Sequence, residues 1–189
     1  MSGTDRFEEL VASFEKLPGV GKKSALRFAY YVSLQNSFLG LNLAHNIEEA
    51  VRGLHRCRIC GAVCEGEICE YCADEDRESD KICIVENPKD IFILESNKIY
   101  NGRYFVLDTA DEDKIAALRA MVSQNGASEL IFALTPGINS DGIMLYVEDK
   151  LADLGLKFTK LAQGVPTGVS LDNVDMLSLI KAINGRTDI

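Results

Sequence analysis

The stretch CRICGAVCEGEICEYC, residues 57–72, holds two CxxC knuckles, Cys57-Arg58-Ile59-Cys60 and Cys69-Glu70-Tyr71-Cys72, eight residues apart. A CxxC turn brings two thiolates within reach of one ion, and two such turns close a tetrahedral shell around zinc. Four thiolates leave no coordination position open, so the reading is one structural Zn2+ per chain held by Cys57, Cys60, Cys69 and Cys72. A redox pair or unrelated cysteines are the competing readings. Cys64 lies inside the loop as an alternative ligand, and Cys83 falls in an apolar run as a buried side chain. Six cysteines behind an acidic, amphipathic N-terminus without the pattern of an export signal point to a reducing compartment, the cytoplasm.

Before the knuckles the sequence reads as helical. Phe7, Leu10, Val11 and Phe14 follow helical spacing over Asp5 to Lys16, and Pro18, Gly19 and Gly21 end that helix. Second and third helices are expected over Lys23 to Leu34 and Leu41 to Leu54. Between the first two lies Leu17-Pro18-Gly19-Val20-Gly21-Lys22-Lys23-Ser24. Glycines there allow close approach to a phosphate, and the amides opening the next helix face the anion with a favourable dipole. Lys22, Lys23 and Arg27 add positive charge on the same side. This is the helix-hairpin-helix pattern, which reads nucleic-acid backbone without regard to sequence; a Gly-rich connector with solvated lysines is the competing reading. No GxxxxGK[ST] spacing runs through Gly21 and Lys22, so nucleotide hydrolysis gains no support.

After Lys81 strand-like runs alternate with helical ones. Strands are expected over Ile82 to Val85, Tyr104 to Leu107, Leu130 to Leu134 and Phe158 to Ala162, and helices near Pro88 to Glu95, Glu112 to Gln124 and Asp141 to Leu154. That alternation predicts a mostly parallel sheet with helices on its faces. A last helix is expected over Val174 to Ala182. Glu86, Asp108 and Asp141 follow predicted strands, where clustered carboxylates can hold Mg2+ for phosphoryl transfer; ordinary loop acids are the equal alternative. His45 and His55 read as structural residues on a helix. Gly164-Val-Pro-Thr-Gly168, ahead of Asp172 and Asp175, reads as a plain loop before the last helix, with a cation-binding turn as the lesser alternative. The domains expected are 1–56, 57–80, 81–164 and 165–189.

The 189 residues carry 20 Lys and Arg against 29 Asp and Glu, a net charge of −9. That balance excludes a protein that coats nucleic acid over its whole surface, and no apolar run is long enough to span a membrane. The charge is uneven: residues 57–80 hold two basic and eight acidic side chains, whereas Lys16 to Ile47 holds Lys16, Lys22, Lys23 and Arg27 with no acid at all.

Four motifs together resemble the RecR family of bacterial recombination mediators over nearly the whole chain. LPGVGKKSALRFA resembles its helix-hairpin-helix signature, CRIC with CEYC its four-cysteine zinc finger, ICIVENPKDI with GRYFVL the opening of its Toprim domain, and LAQGVPTG with a closing GR its C-terminal segment. The resemblance implies a multi-domain α and α/β protein: a helix-hairpin-helix domain, a small four-cysteine zinc finger, a Toprim α/β domain and a C-terminal helix. It also implies a protein that catalyses no reaction, forms dimeric or tetrameric rings, and acts with RecO or RecF to help RecA replace single-strand binding protein on DNA.

By the same resemblance Lys23 and Arg27 contact DNA, Glu86 is the Toprim glutamate, and the four cysteines bind zinc; Lys22 is added on charge alone. The DNA expected is single-stranded or a junction. The chain departs from the family in a shorter loop between Leu107 and Asp113, and in Asn139-Ser140-Asp141 where an acidic couple is usual. Losing one carboxylate weakens a Mg2+ site, which favours a binding surface, with Glu86 and Asp141 as candidate partner contacts. A Mg-dependent Toprim enzyme acting on DNA through Glu86 and Asp141 is the alternative. With nine net negative charges, DNA affinity is expected from several hairpins acting together in an oligomer, or from a basic partner.

Overall fold

A computed structural model describes residues 4–162 and 164–185. Gln163 of the LAQGVPTG motif and Arg186 of the closing GR lie outside the described residues. The chain forms two compact units, Met1–Leu54 and His55–Ile189.

The first unit is helical: α1 Asp5–Glu15, α2 Lys22–Tyr30 and α3 Ser37–Gly53. α1 and α2 pack against each other through half-buried apolar positions, with Phe14 edge-on to Phe28 at 5.9 Å between ring centres. α2 does not run to Leu34 as the spacing suggests. Tyr31–Gln35 widens into one π-turn, closed by Asn36 N–H to Tyr31 C=O at 2.8 Å. Asn36 then caps α3 by accepting from the Leu39 amide at 3.0 Å, so α3 begins at Ser37 rather than Leu41. Only Ala25 and Ala29 are buried in this unit among the described residues, and α3 buries none of its side chains.

The second unit opens with a small antiparallel hairpin, β1 His55–Arg56 paired with β2 Val63–Cys64. His55 therefore lies on a strand, not on the helix expected of it; α3 ends at Gly53. A single helical turn, α4 Glu70–Ala73, leads into β3 Glu78–Val85, α5 Pro88–Ser96, β4 Gly102–Val106, α6 Glu112–Asn125, β5 Glu129–Ala133, α7 Ile138–Leu151 and β6 Lys157–Lys160. The four long strands form one all-parallel sheet in the order β4-β3-β5-β6. β3 is central and its last four residues are fully buried, which is why Ile82-Cys-Ile-Val85 reads as an unbroken apolar run. β3 itself starts four residues earlier, because Glu78 pairs with Gly102 across a register shift.

With the order β4-β3-β5-β6, the right-handed rule for parallel crossovers assigns α5 to one face and α6 with α7 to the other, and α6 packs on α7. Arg119 of α6 binds both carboxylate oxygens of Asp153, at 2.7 and 2.8 Å, and tethers α6 to the turn after α7. The core joins Ile82, Ile84, Leu130, Leu118, Val147 and Leu151, each fully buried and each worth about 1.5–3 kcal/mol on burial. After β6 the chain runs through a loop and a 3-10 turn, Leu171–Asn173, to α8 Met176–Asn184, which is capped by Asp175 accepting from the Ser178 amide. Asp175 thus serves the helix, in keeping with the plain-loop reading of that segment.

Candidate nucleic-acid interface and metal centre

The turn between α1 and α2 is built by short backbone bonds. Leu17 N–H reaches Phe14 C=O at 3.1 Å and Val20 N–H reaches Leu17 C=O at 3.1 Å. Gly19 sits at φ +77°, a conformation a side chain disfavours, and has open space where a Cβ would go. Gly21 occupies the N-cap of α2 in extended conformation and offers no side-chain oxygen to the helix. The amides of Lys22, Lys23 and Ser24 therefore lack a capping acceptor, and Ala25 is the first residue whose N–H closes a helical bond, to Gly21 C=O at 3.0 Å. Lys22 and Lys23 are exposed in the first turn of α2, which holds no acid, and Arg27 is exposed further along, in the last turn of the helix. The Arg27 guanidinium lies 5.3 Å from the centre of the Phe28 ring. An exposed loop with uncapped amides and three cations has the makings of a phosphate cradle.

The four knuckle cysteines come together. The sulfurs of Cys57, Cys60, Cys69 and Cys72 all lie within 4.8 Å of one another, and Cys60 Sγ is 3.5 Å from Cys69 Sγ. A tetrahedral shell with Zn–S near 2.3 Å needs sulfurs about 3.8 Å apart, so the set fits zinc. Two backbone amides also point at sulfur, Ala62 N–H to Cys60 and Cys69 N–H to Cys57, each at 3.4 Å. Such bonds favour the thiolate form. Hydrogen bonds from Cys60 and Cys72 hold the Cys69 thiol well below its ordinary value against its burial. Its partner Cys60 is pushed up, first by the bond to Cys69, then by that to Cys72 and by burial. A dication in place of the shared proton removes that conflict. Cys64 stands apart, donating from Sγ to Gly66 C=O at 2.8 Å, and is not a fifth member of the group. Cys83 is buried in β3, with its thiol pushed up to about 12 by burial.

The carboxylates after the strands do not converge in the same way. Half-buried Glu86 accepts from Thr135 Oγ1 at 2.8 Å, across the carboxyl ends of β3 and β5. Asp108 instead faces Lys114 at 3.2 Å and Arg56 at 3.5 Å. Burial works against the Asp108 charge, and the two cations outweigh it and hold the carboxyl below its ordinary value. Asp141 is exposed in the first turn of α7, lining a cleft with Met144, Phe132 and Lys160. Among the described residues the four cysteines are the one group of three or more His, Cys, Asp or Glu side chains placed to share a metal ion.

Two features escaped the sequence reading. Arg77, inside the acidic stretch, is buried and pairs with Glu95 at 2.7 Å between the rings of Tyr71 and Tyr104. A lone arginine among acids gives no signal of burial. Val106 N–H donates to Cys60 C=O at 2.7 Å, a bond from sheet to knuckle that spacing along the chain does not reveal.

Comparison with known proteins follows the same segments. Residues 7–51 match the model of the RecR helix-hairpin-helix, residues 54–74 that of the RecR four-cysteine zinc finger domain, and residues 80–162 that of the Toprim domain. Recombination protein RecR of Campylobacter jejuni subsp. doylei is 52% identical over 187 residues, covering 99% of this chain and 98% of that protein. The protein of the same name from Nitratiruptor sp. is 49% identical over 184 residues, 97% of both chains, and that from Helicobacter pylori (strain Shi470) is 46% identical over 182 residues, 96% of this chain and 94% of that protein. With about half of all positions shared from end to end, and with the hairpin, the cysteine knuckles and the Toprim sheet in the matching order, the chain belongs to the RecR family.

Proposed function

We propose that this chain is a DNA-binding mediator of recombinational repair, acting in the cytoplasm with RecO, RecF or both to promote loading of RecA onto single-stranded DNA coated with single-strand binding protein. The observation that carries the reading is the uncapped, acid-free N-terminus of α2. Lys22 and Lys23 neutralise phosphates there and Arg27, in the last turn of the helix, takes a further one, while the Gly19 to Gly21 backbone lets the strand come close enough to meet the free amides. The names of the relatives, recombination proteins all, support the same role.

The chain works as a dimer or tetramer. Phe38 and Leu41 on α3 are 75% and 73% exposed, and Leu34 before them 69%, an apolar surface that a second copy would cover. Several hairpins on one strand then offset the weak affinity of a single acidic chain. Zinc, bound by the four cysteines, is structural. The Toprim surface acts in binding rather than catalysis: Asp108 is engaged by Arg56 and Lys114, and Glu86 by Thr135. Glu86 and Asp141 contribute to a docking face for a basic partner, and single strands and their junctions are the DNA ligands. Among the described residues no helix is long and apolar enough to cross a membrane.

The test is the rate of RecA filament assembly on DNA coated with single-strand binding protein, with RecO present. Wild-type chain accelerates assembly, and Lys23→Glu with Arg27→Glu loses the acceleration while keeping its zinc and fold. No acceleration by either form overturns the proposal. Mg2+-dependent DNA cleavage that Glu86→Gln abolishes would establish the enzyme alternative.

A further inference from the structure

The parallel sheet ends in two different edges. β6 is four residues long with a lysine at each end, a short and charged edge that discourages further pairing. β4 is apolar, with Tyr104, Phe105 and Val106 at most 2% exposed. Along β4 the pairing groups alternate. Leu107 N–H turns inward to Val85 C=O at 2.8 Å, while Gly102 and Val106 turn outward. Those outward groups are taken up by the cysteine-bearing segment and its surroundings. Val106 N–H donates to Cys60 C=O at 2.7 Å, Gly102 C=O accepts from Arg77 Nη1 at 3.0 Å, and Lys114 Nζ approaches Val106 C=O at 3.5 Å.

The fit is close. Gly61, in the first knuckle, sits at φ +80°, and a Cβ there would lie 3.1 Å from Val106 Cβ. From the strand side Arg103 Nη1 donates to Tyr71 C=O, in the second knuckle, at 2.6 Å. The Cys60 carbonyl, the Gly61 turn and the Tyr71 carbonyl are backbone of the two knuckles, whereas Arg77 and Lys114 reach the strand with side chains from outside them. Cys57, Cys60, Ala62 and Cys69 adjoin the buried core, whose large side chains Ile84, Leu118, Leu130, Val147 and Leu151 come from elements outside the knuckles.

We propose that the four-cysteine module is a metal-dependent cover for the β4 edge: bound zinc holds the Cys60 carbonyl and the Gly61 turn against Val106, and loss of the ion uncovers the Val106 end of the strand while the rest of the sheet stays folded. The inference rests on the four thiolates holding zinc. Site-resolved amide exchange on the full chain, zinc-loaded and after chelation, tests it. The Val106 amide exchanges at least tenfold faster after chelation, and the neighbouring Leu107 amide, bonded within the sheet, stays within about twofold. Gly61→Ala speeds Val106 exchange with one zinc per chain retained, because the added methyl pushes the knuckle from the strand. A Val106 amide indifferent to chelation overturns the cover, as does Leu107 exchanging in step with Val106, since the module would then be inseparable from the sheet. Zinc content of the same sample separates the two readings: a chain that takes up no zinc fails the metal reading, whereas a loaded chain with an unresponsive Val106 fails the cover alone.

Discussion

The two units differ in how much apolar side chain they bury. In Met1–Leu54 the buried apolar residues are, among the described residues, two alanines, and large side chains such as Phe38, Leu41 and Val51 stand open on α3. In His55–Ile189 a set of large side chains goes inward, from Ile82 on β3 to Leu151 on α7, and even an arginine is drawn into the fold, while Ile138 on α7 and Met176, Leu177, Ile180 and Ile183 on α8 stay exposed. A helical unit of 54 residues with so little core cannot offset its conformational entropy by internal burial alone. The second unit can. The second has a core of its own around β3, with α8 left as open as α3, and the metal centre belongs to this second unit.

The largest effect is expected at the cysteines. Cys60→Ser removes one of four ligands, and structural zinc in isolated fingers is worth on the order of 10–16 kcal/mol; the metal content of the purified chain should fall from one ion towards none. Retained stoichiometric zinc would break the assignment of the ligands. Next comes the contrast between cores. Leu118→Ala empties a fully buried site on α6 and should cost about 2–5 kcal/mol in chemical unfolding. Leu41→Ala on α3, at a concentration where the chain is monomeric, should cost less than about 0.5 kcal/mol. At working concentration, Phe38→Ser with Leu41→Ser should shift sedimentation to a smaller species, and an unchanged sedimentation coefficient would remove α3 from the self-contact.

At the hairpin, Lys23→Glu with Arg27→Glu should weaken single-strand binding and flatten its dependence on log salt by about 0.7 for each phosphate no longer neutralised. Anisotropy titrations at several salt concentrations would read this, and an unchanged slope would move the DNA contact elsewhere. Asn36→Ala removes the side-chain acceptor at the start of α3 and should cost about 1 kcal/mol. The smallest effect concerns pH. The Asp108 carboxyl is held below its ordinary value in the folded chain, so its pairing with Lys114 and Arg56 stabilises the second unit above the unfolded pKa near 4, and that contribution fades as pH falls through the lower folded value. Asp108→Asn should flatten the acid limb of an unfolding curve there, and a limb of unchanged steepness would deny the pairing any weight.

The sequence by itself determined the elements whose chemistry is local. CxxC twice at short spacing reads as a metal site, PGVG before two lysines is a turn into an uncapped helix, and Ile82-Cys-Ile-Val85 has the continuous apolarity of a strand buried on both faces. Element boundaries were legible to within a few residues, except where backbone bonding overrode periodicity: the π-turn at Tyr31–Gln35 and the Asn36 cap together moved the start of α3 to Ser37. Only the tertiary structure decided how distant residues meet. It placed Asp108 against Arg56 and Lys114 rather than beside Glu86 and Asp141, put Arg77 between two tyrosine rings, and laid the Cys60 carbonyl on Val106. The physical reason is range. Turn geometry, capping and knuckle ligation join residues a few positions apart and leave a pattern in the chain, whereas a hydrogen bond or ion pair between residues dozens of positions apart is fixed by the packing of whole elements.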